Sequence, residues 1–185
     1  SIYNPKKLQN MSSYHIYCSL FVFEFVQFLT QKLTDKNQDE KYSIGIISAY
    51  RAQTDLMDNL FSTYKLPENI NLQIGTIHGF QGDECDIVFA VFNPPPNITS
   101  SPEMFLNNKN MINVSISRTK DYLFFLMPDD GTENINLLKH VKNVEMLCKQ
   151  EEYTEFDSHE IERLIYGDEN FIENNDSNEN GNNDS

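Results

Sequence analysis

The sequence predicts an α/β fold, a parallel sheet with helices on both faces, and three observations carry that expectation. Four short apolar runs have strand length: "YSIGIIS" (42–48), "LQIGTI" (72–77), "DIVFAVF" (86–92) and "DYLFFLM" (121–127). Their apolar character is nearly continuous rather than alternating, as in strands buried on both faces. Helical periodicity separates or flanks them, the alternation that marks parallel sheets.

The elements follow in order. The opening "SIYNPKKLQN" has no caps or periodicity and lacks an initiator Met, so it reads as part of something longer. From Ser13 to Leu33, Tyr17, Leu20, Phe21, Phe25, Phe28 and Leu29 recur at three- and four-residue intervals, predicting a helix with a broad buried face. "DKNQDEK" breaks it. The first strand passes through "AYRAQ" into "TDLMDNLFSTY", where Leu56, Leu60 and Phe61 carry helical spacing. After "KLPENI" come the second strand, the polar interruption "TIHGFQGDE" and the third strand. "NPPPNITSSPE" is a loop, since consecutive prolines cannot continue a helix or an interior strand. "NMINVSISRTK" leads into the fourth strand, and Ile135 to Cys148 and His159 to Tyr166 read as helices.

At 185 residues the chain has the size of one ordinary domain with an extension. We assign 1–150 to the domain, 151–170 to an acidic helical extension and 171–185 to a disordered Asn/Asp/Ser-rich tail, which has almost nothing apolar to bury. The formal charge of −14 is mostly extension and tail. Twelve of the 28 acidic residues and one of the 14 basic ones follow residue 150, so that part carries −11 and the body −3. Three cysteines without CxxC spacing suggest neither a disulfide framework nor a zinc site, and a reducing intracellular, cytoplasmic setting fits. The most apolar segment, "CSLFVFEFVQFL" (18–29), is too short for a membrane span.

In parallel sheets ligands bind at the carboxyl ends of the strands. The sequence predicts its unusual polar residues there: Tyr50, Arg51 and Gln53 after one strand, and His78, Gln81 and Glu84 after another. Three stretches sharpen this: "AYRAQ" (49–53), "TIHGFQGDE" (76–84) and "NVSISRTK" (113–120). In this order they resemble motifs of the C-terminal RecA-like motor domain of superfamily 1 helicases, the group related to the RNA helicases of nonsense-mediated decay. That family has PY-x-x-Q, FQG-x-E-x-D and N-V-A/S-x-S/T-R-A/T-K/R at these places. The resemblance covers roughly residues 12–128.

The resemblance implies a RecA-like, P-loop NTPase-type sheet serving an ATP-dependent DNA/RNA helicase or translocase. It implies that Arg118 reaches the γ-phosphate of ATP as an arginine finger. It also implies that Glu84 accepts a hydrogen bond from the ribose, with Gln81 and Gly82 forming the turn that places it and Arg51 counted among the nucleotide contacts. Thr76, His78, Tyr50 and Gln53 match nucleic-acid positions, and Asn113 braces the segment presenting Arg118. "VSIS" favours a strand by composition, whereas the family makes 113–118 helical, the reading adopted here. Ala49 and Thr119 stand where relatives carry proline and alanine.

No G-x-x-x-x-G-K-S/T loop occurs, so magnesium and the β-phosphate would be held by an N-terminal RecA-like partner domain of the same protein. No metal site is expected in this chain, and the fragment alone should be inactive. The competing reading is a helicase-derived module that binds nucleic acid or protein without turnover.

Overall fold

The computed structural model describes residues 6–7, 12–80, 84–92, 113–114, 117–127, 154–168 and 171–172. The expected helix at 135–148 and most of the expected disordered tail lie outside the described residues. A short antiparallel ribbon, β1 (Lys6–Lys7) with β2 (Ser13–Tyr14), comes first and was not foreseen in the sequence. Then follow α1 (Ile16–Lys36), β3 (Tyr42–Ser48), α2 (Arg51–Ser62), β4 (Ile70–Thr76), β5 (Cys85–Val91), β6 (Thr119–Leu126) and α3 (Ser158–Tyr166).

α1 begins where His15, extended, caps it: its Nδ1 accepts from Cys18 N–H at 3.1 Å, satisfying one of the orphan donors of the first turn. The helix runs to Lys36, one turn past the expected end, because the N–H of Asn37 still reaches the carbonyl of Leu33. The segment leading to Arg118 is helical at Asn113, Val114 and Ser117, and Arg118 N–H bonds the Val114 carbonyl at 3.1 Å. The helical reading therefore prevails over strand propensity. Val114 is half-buried against the core, and Asn113 is exposed.

The four longer strands form one parallel sheet in the order β4-β3-β5-β6. Ser48 pairs with both Thr76 and Val91, and Val91 with Leu126, so these residues share the carboxyl edge. Tyr42 pairs with Ile70 and Cys85 with Thr119 at the amino edge. α2 links β3 to its neighbour β4. The link from β4 to β5 has a different task, since β5 lies on the far side of β3. It must cross the face of β3 and descend to the opposite edge.

Alternation along the strands divides the core. Ile44, Ile46, Ile87, Phe89 and Val91 meet α1, α2 and α3 through Val22, Phe25, Val26, Met57, Phe61 and Ile161. Phe89 stacks on Phe124 with centroids 4.9 Å apart, and both take edge contacts from Phe25. On the other face Ile47, Val88, Ala90 and Phe92 are covered, among the described residues, by Ile77, Phe80 and Val114.

The C-terminal segment docks on α1. Glu162 is 1% exposed and accepts hydrogen bonds from the Tyr17 hydroxyl and, at 3.0 Å, from Ile172 N–H. The Tyr166 hydroxyl donates to Glu24, and these neighbouring carboxylates, after burial itself, push that phenol well above its ordinary value. No described helix is long and apolar enough to cross a membrane.

Glu162→Ala strands the Ile172 amide in the core and leaves the Tyr17 hydroxyl with Ser158 Oγ, 2.9 Å away, and should cost about 1–3 kcal/mol, the range for one buried orphan. Urea unfolding measures the loss, and amide exchange should place it in residues 158–172. A midpoint identical to wild type would mean that this segment does not dock through Glu162.

Candidate functional site

The register separates the candidate residues into two groups at opposite edges of the sheet. Tyr50 and Arg51 follow β3, and Thr76 and His78 end and follow β4, so these four stand at the carboxyl edge. Glu84 immediately precedes β5 and Arg118 immediately precedes β6, which puts both at the amino edge. Seven residues at about 3.3 Å set the two edges roughly 20 Å apart. The expectation that Glu84 lies at the carboxyl end with His78 is thus corrected. The physical reason is that β5 begins at Cys85, directly after Glu84, so the chain is already back at the amino edge there. Gln81 and Gly82 lie outside the described residues.

At the amino edge, Cys85 N–H donates to the Arg118 carbonyl at 2.8 Å, so Glu84 and Arg118 are presented by two backbone segments bonded to each other. Glu84 is exposed. Arg118 is half-buried, and its Nε is buried with no hydrogen-bond partner among the described residues. A guanidinium nitrogen in that state has lost water and gained nothing, so an arriving anion is favoured there.

Next to this pair lies a clamp that the sequence reading passed over. Asp86 Oδ2 accepts from both the N–H and the hydroxyl of Ser43 at 2.7 Å, Asp86 N–H donates to Ser43 Oγ at 3.0 Å, and Lys120 Nζ lies 3.5 Å from Oδ1. Asp86 therefore ties β3, β5 and β6 at the edge that carries Glu84 and Arg118. Partial burial raises its carboxyl, but the two Ser43 bonds and Lys120 outweigh burial and leave it below the ordinary 3.8. The motif FQG-x-E-x-D contained this residue, yet its role depends on Ser43, 43 positions away.

At the carboxyl edge, Thr76 closes a turn: its carbonyl accepts from Gly79 and Phe80 N–H, each at 2.8 Å, and its Oγ1 from Gly79 N–H at 3.3 Å. His78 is exposed at that turn. Tyr50 precedes α2 and packs against the second core cluster, where burial pushes its phenol up to about 12. Arg51, expected with the nucleotide residues, is 82% exposed, 3.7 Å from Asp55, and at the edge opposite Glu84 and Arg118. It is corrected out of that group, because α2 starts directly from the end of β3.

Gln53 is also corrected. It is fully buried, its Oε1 accepts from His15 N–H at 2.6 Å, and its Nε2 donates to Ser19 Oγ at 2.6 Å. It locks the first turn of α2 to the first turn of α1 and presents nothing to nucleic acid. Among the described residues no cluster of His, Cys, Asp and Glu could hold a metal.

Comparison with known proteins fits this geometry. A family model described as an AAA domain matches residues 5–128. The chain is 28% identical over 131 residues to a probable helicase of Dictyostelium discoideum, covering 67% of this chain and 13% of that protein. It is 34% identical over 104 residues to the helicase SEN1 of Saccharomyces cerevisiae, covering 56% and 5%. It is 33% identical over 121 residues to replicase polyprotein 1ab of Alphamesonivirus 1, covering 65% and 2%. The chain belongs to the AAA domain family of superfamily 1 helicases. It spans only 2%, 13% and 5% of the length of these three relatives. The parallel sheet is RecA-like, of the P-loop NTPase type.

Two outcomes are expected. Asp86→Asn should lower stability at pH 7 by about 1–2 kcal/mol, the charge-assisted bonds being discounted for partial exposure. The folded carboxyl lies below its unfolded value, so this contribution is present above the unfolded pKa and disappears as pH falls through the folded one. Wild type should thus lose its advantage over the variant below about pH 4, the region of the ordinary aspartate value; a difference constant from pH 7 to 3 would refute the clamp. Gln53→Ala should cost about 2 kcal/mol in urea unfolding, as expected for buried bonds lost, and leave single-strand affinity unchanged. Weakened binding by a variant of wild-type stability would restore Gln53 to the nucleic-acid group.

Proposed function

We propose that this chain is the second motor domain of an ATP-dependent DNA/RNA helicase or translocase, closing on a first motor domain around ATP. One observation carries the reading: Glu84 and Arg118 stand on bonded segments at one edge, with Arg118 Nε buried and lacking a partner among the described residues. A planar, permanently cationic group suits phosphoryl transfer, which is catalysed chiefly by positioning and by neutralising charge on the transferring oxygens. In this reading Arg118 reaches the γ-phosphate across the cleft and Glu84 accepts from a ribose hydroxyl, with Gln81 and Gly82 as the turn before it. Magnesium and the β-phosphate belong to the partner domain, since this sequence has no G-x-x-x-x-G-K-S/T loop.

The carboxyl edge supplies the second ligand surface. Thr76 and His78 would contact the phosphate backbone of single-stranded DNA or RNA, which demands no particular base. Arg51 and Tyr50 stand at the same edge, and an exposed arginine there suits the phosphates of a nucleic-acid strand.

The test is ATP hydrolysis by the whole gene product with its first motor domain, with and without single-stranded nucleic acid. Arg118→Ala should reduce turnover about 10³-fold or more, the range for removing an arginine finger, without changing the unfolding midpoint by more than a few degrees. An Arg118→Ala enzyme as fast as wild type would remove the proposed role. Nucleic-acid binding with no turnover under any condition would favour a non-catalytic binding module.

A further inference from the structure

The pairing of β5 with β6 is regular except at its amino end. Cys85 is paired with Thr119 and Ile87 with Tyr122, so two residues of β6, Lys120 and Asp121, lie opposite the single residue Asp86 of β5. A bulge of this kind disrupts the ladder locally, and beside a site it serves to re-aim a side chain. The residue that enters this ladder first is Arg118, whose carbonyl accepts from Cys85 N–H at 2.8 Å. Without the extra residue, Thr119 and Arg118 would move one place along the ladder, by about 3.3 Å, and their side chains would change faces. The aim of Arg118 is therefore set by the bulge.

The bulge has an anchor outside its own two strands. Asp86 Oδ2 accepts from the N–H and the hydroxyl of Ser43, each at 2.7 Å, and Ser43 Oγ accepts in turn from Asp86 N–H at 3.0 Å. These bonds fix Asp86 to β3. Its other oxygen, Oδ1, lies 3.5 Å from Nζ of Lys120, the first of the two bulged residues.

We propose that Asp86, anchored by Ser43 and engaging Lys120, is the positioning residue that holds this bulge and thereby aims Arg118. The inference rests on the arginine-finger reading above. Asp86 touches no phosphate in that reading and acts through β6. Glu84 belongs to the strand without the extra residue, so it keeps its place when the bulge relaxes. Loss of Asp86 should then impair the chemical step more than nucleotide binding.

The test is a double-mutant cycle on ATP turnover by the whole gene product with its first motor domain, at saturating oligo-dT or oligo-U. Asp86→Ala should lower kcat about 10²-fold, the scale for a reacting group displaced by about 1 Å. The KM for ATP should stay within about twofold, since an interaction felt only in the transition state was lost. In an Arg118→Ala background the same change should cost less than about twofold further, because residues that act as a unit are not additive. Ser43→Ala keeps the backbone bond to Asp86 and loses both hydroxyl bonds. It should lower kcat in the same direction by a smaller factor, and it decides the matter if Asp86→Ala does not fold.

Folded Asp86→Ala and Ser43→Ala enzymes with wild-type kcat would overturn the proposal. So would an Asp86→Ala loss that persists in full in the Arg118→Ala background, the mark of general damage to the sheet. A raised KM with unchanged kcat would also overturn it, by placing Asp86 in nucleotide binding. If Arg118→Ala itself turns over like wild type, the finger reading fails and this inference with it. That result is distinct from a slow Arg118→Ala enzyme with insensitive Asp86 and Ser43 variants.

Discussion

Because β5 pairs with the side of β3 opposite β4, the chain must cross β3 between them, and no helix lies in that crossing among the described residues. Much of the structure follows from that crossing. A helical crossover would hold a chain about one helix radius or more above the sheet, whereas a bare strand of backbone must lie directly on it. Direct contact demands glycine beneath and a flat side chain above, and Gly45, Gly75 and Phe80 provide them. The same route delivers Glu84 to the amino edge, beside the start of β6 and Arg118. In the proposed reading, the nucleotide residue Glu84 and the nucleic-acid residue Thr76 would stand at opposite edges within nine residues of chain.

The opposite face obeys a different constraint. There the sheet is covered by α1, α2 and the docked α3, and the aromatic residues of α1 fill the space above Phe89 and Phe124. Gln53, in the first turn of α2, is bonded through its amide to His15 and Ser19 at the start of α1, 38 and 34 positions away, so the starts of the two helices are joined.

The sheet and its helices were legible because their signals are local. "YSIGIIS" is a strand at its predicted limits, and the boundaries of the other three move by one or two residues, as hydrogen-bond fraying allows. The placement of the site was less legible. That Glu84 belongs with Arg118 followed from motif resemblance, but the edge they share depends on strand order, which no local pattern encodes. Gln53 was misread for the same reason: a polar residue after a strand looks available until His15 and Ser19 are seen to surround it. Asp86 drew no role from the sequence, and only the pairing of β3 with β5 brings Ser43 to it.

Strand order also bears on the acidity of the chain, which by itself would repel the two polyanionic ligands proposed above. α3, with Asp157, Glu160 and Glu162, packs on α1, the helical layer, while the connection from Thr76 to Glu84 runs over the other face. A helix layer and the sheet together place on the order of 10 Å or more between them, about one Debye length at 0.1 M salt. Glu162 is in addition engaged by Tyr17 and Ile172, and Glu24 by Tyr166, so these carboxylates are turned inward to hydrogen bonds. Screening, distance and pairing act in the same direction. In the proposed reading, the body of the domain, at a net −3 over residues 1–150, would meet phosphate with local cations such as Arg118 and Arg51 rather than against the full −14.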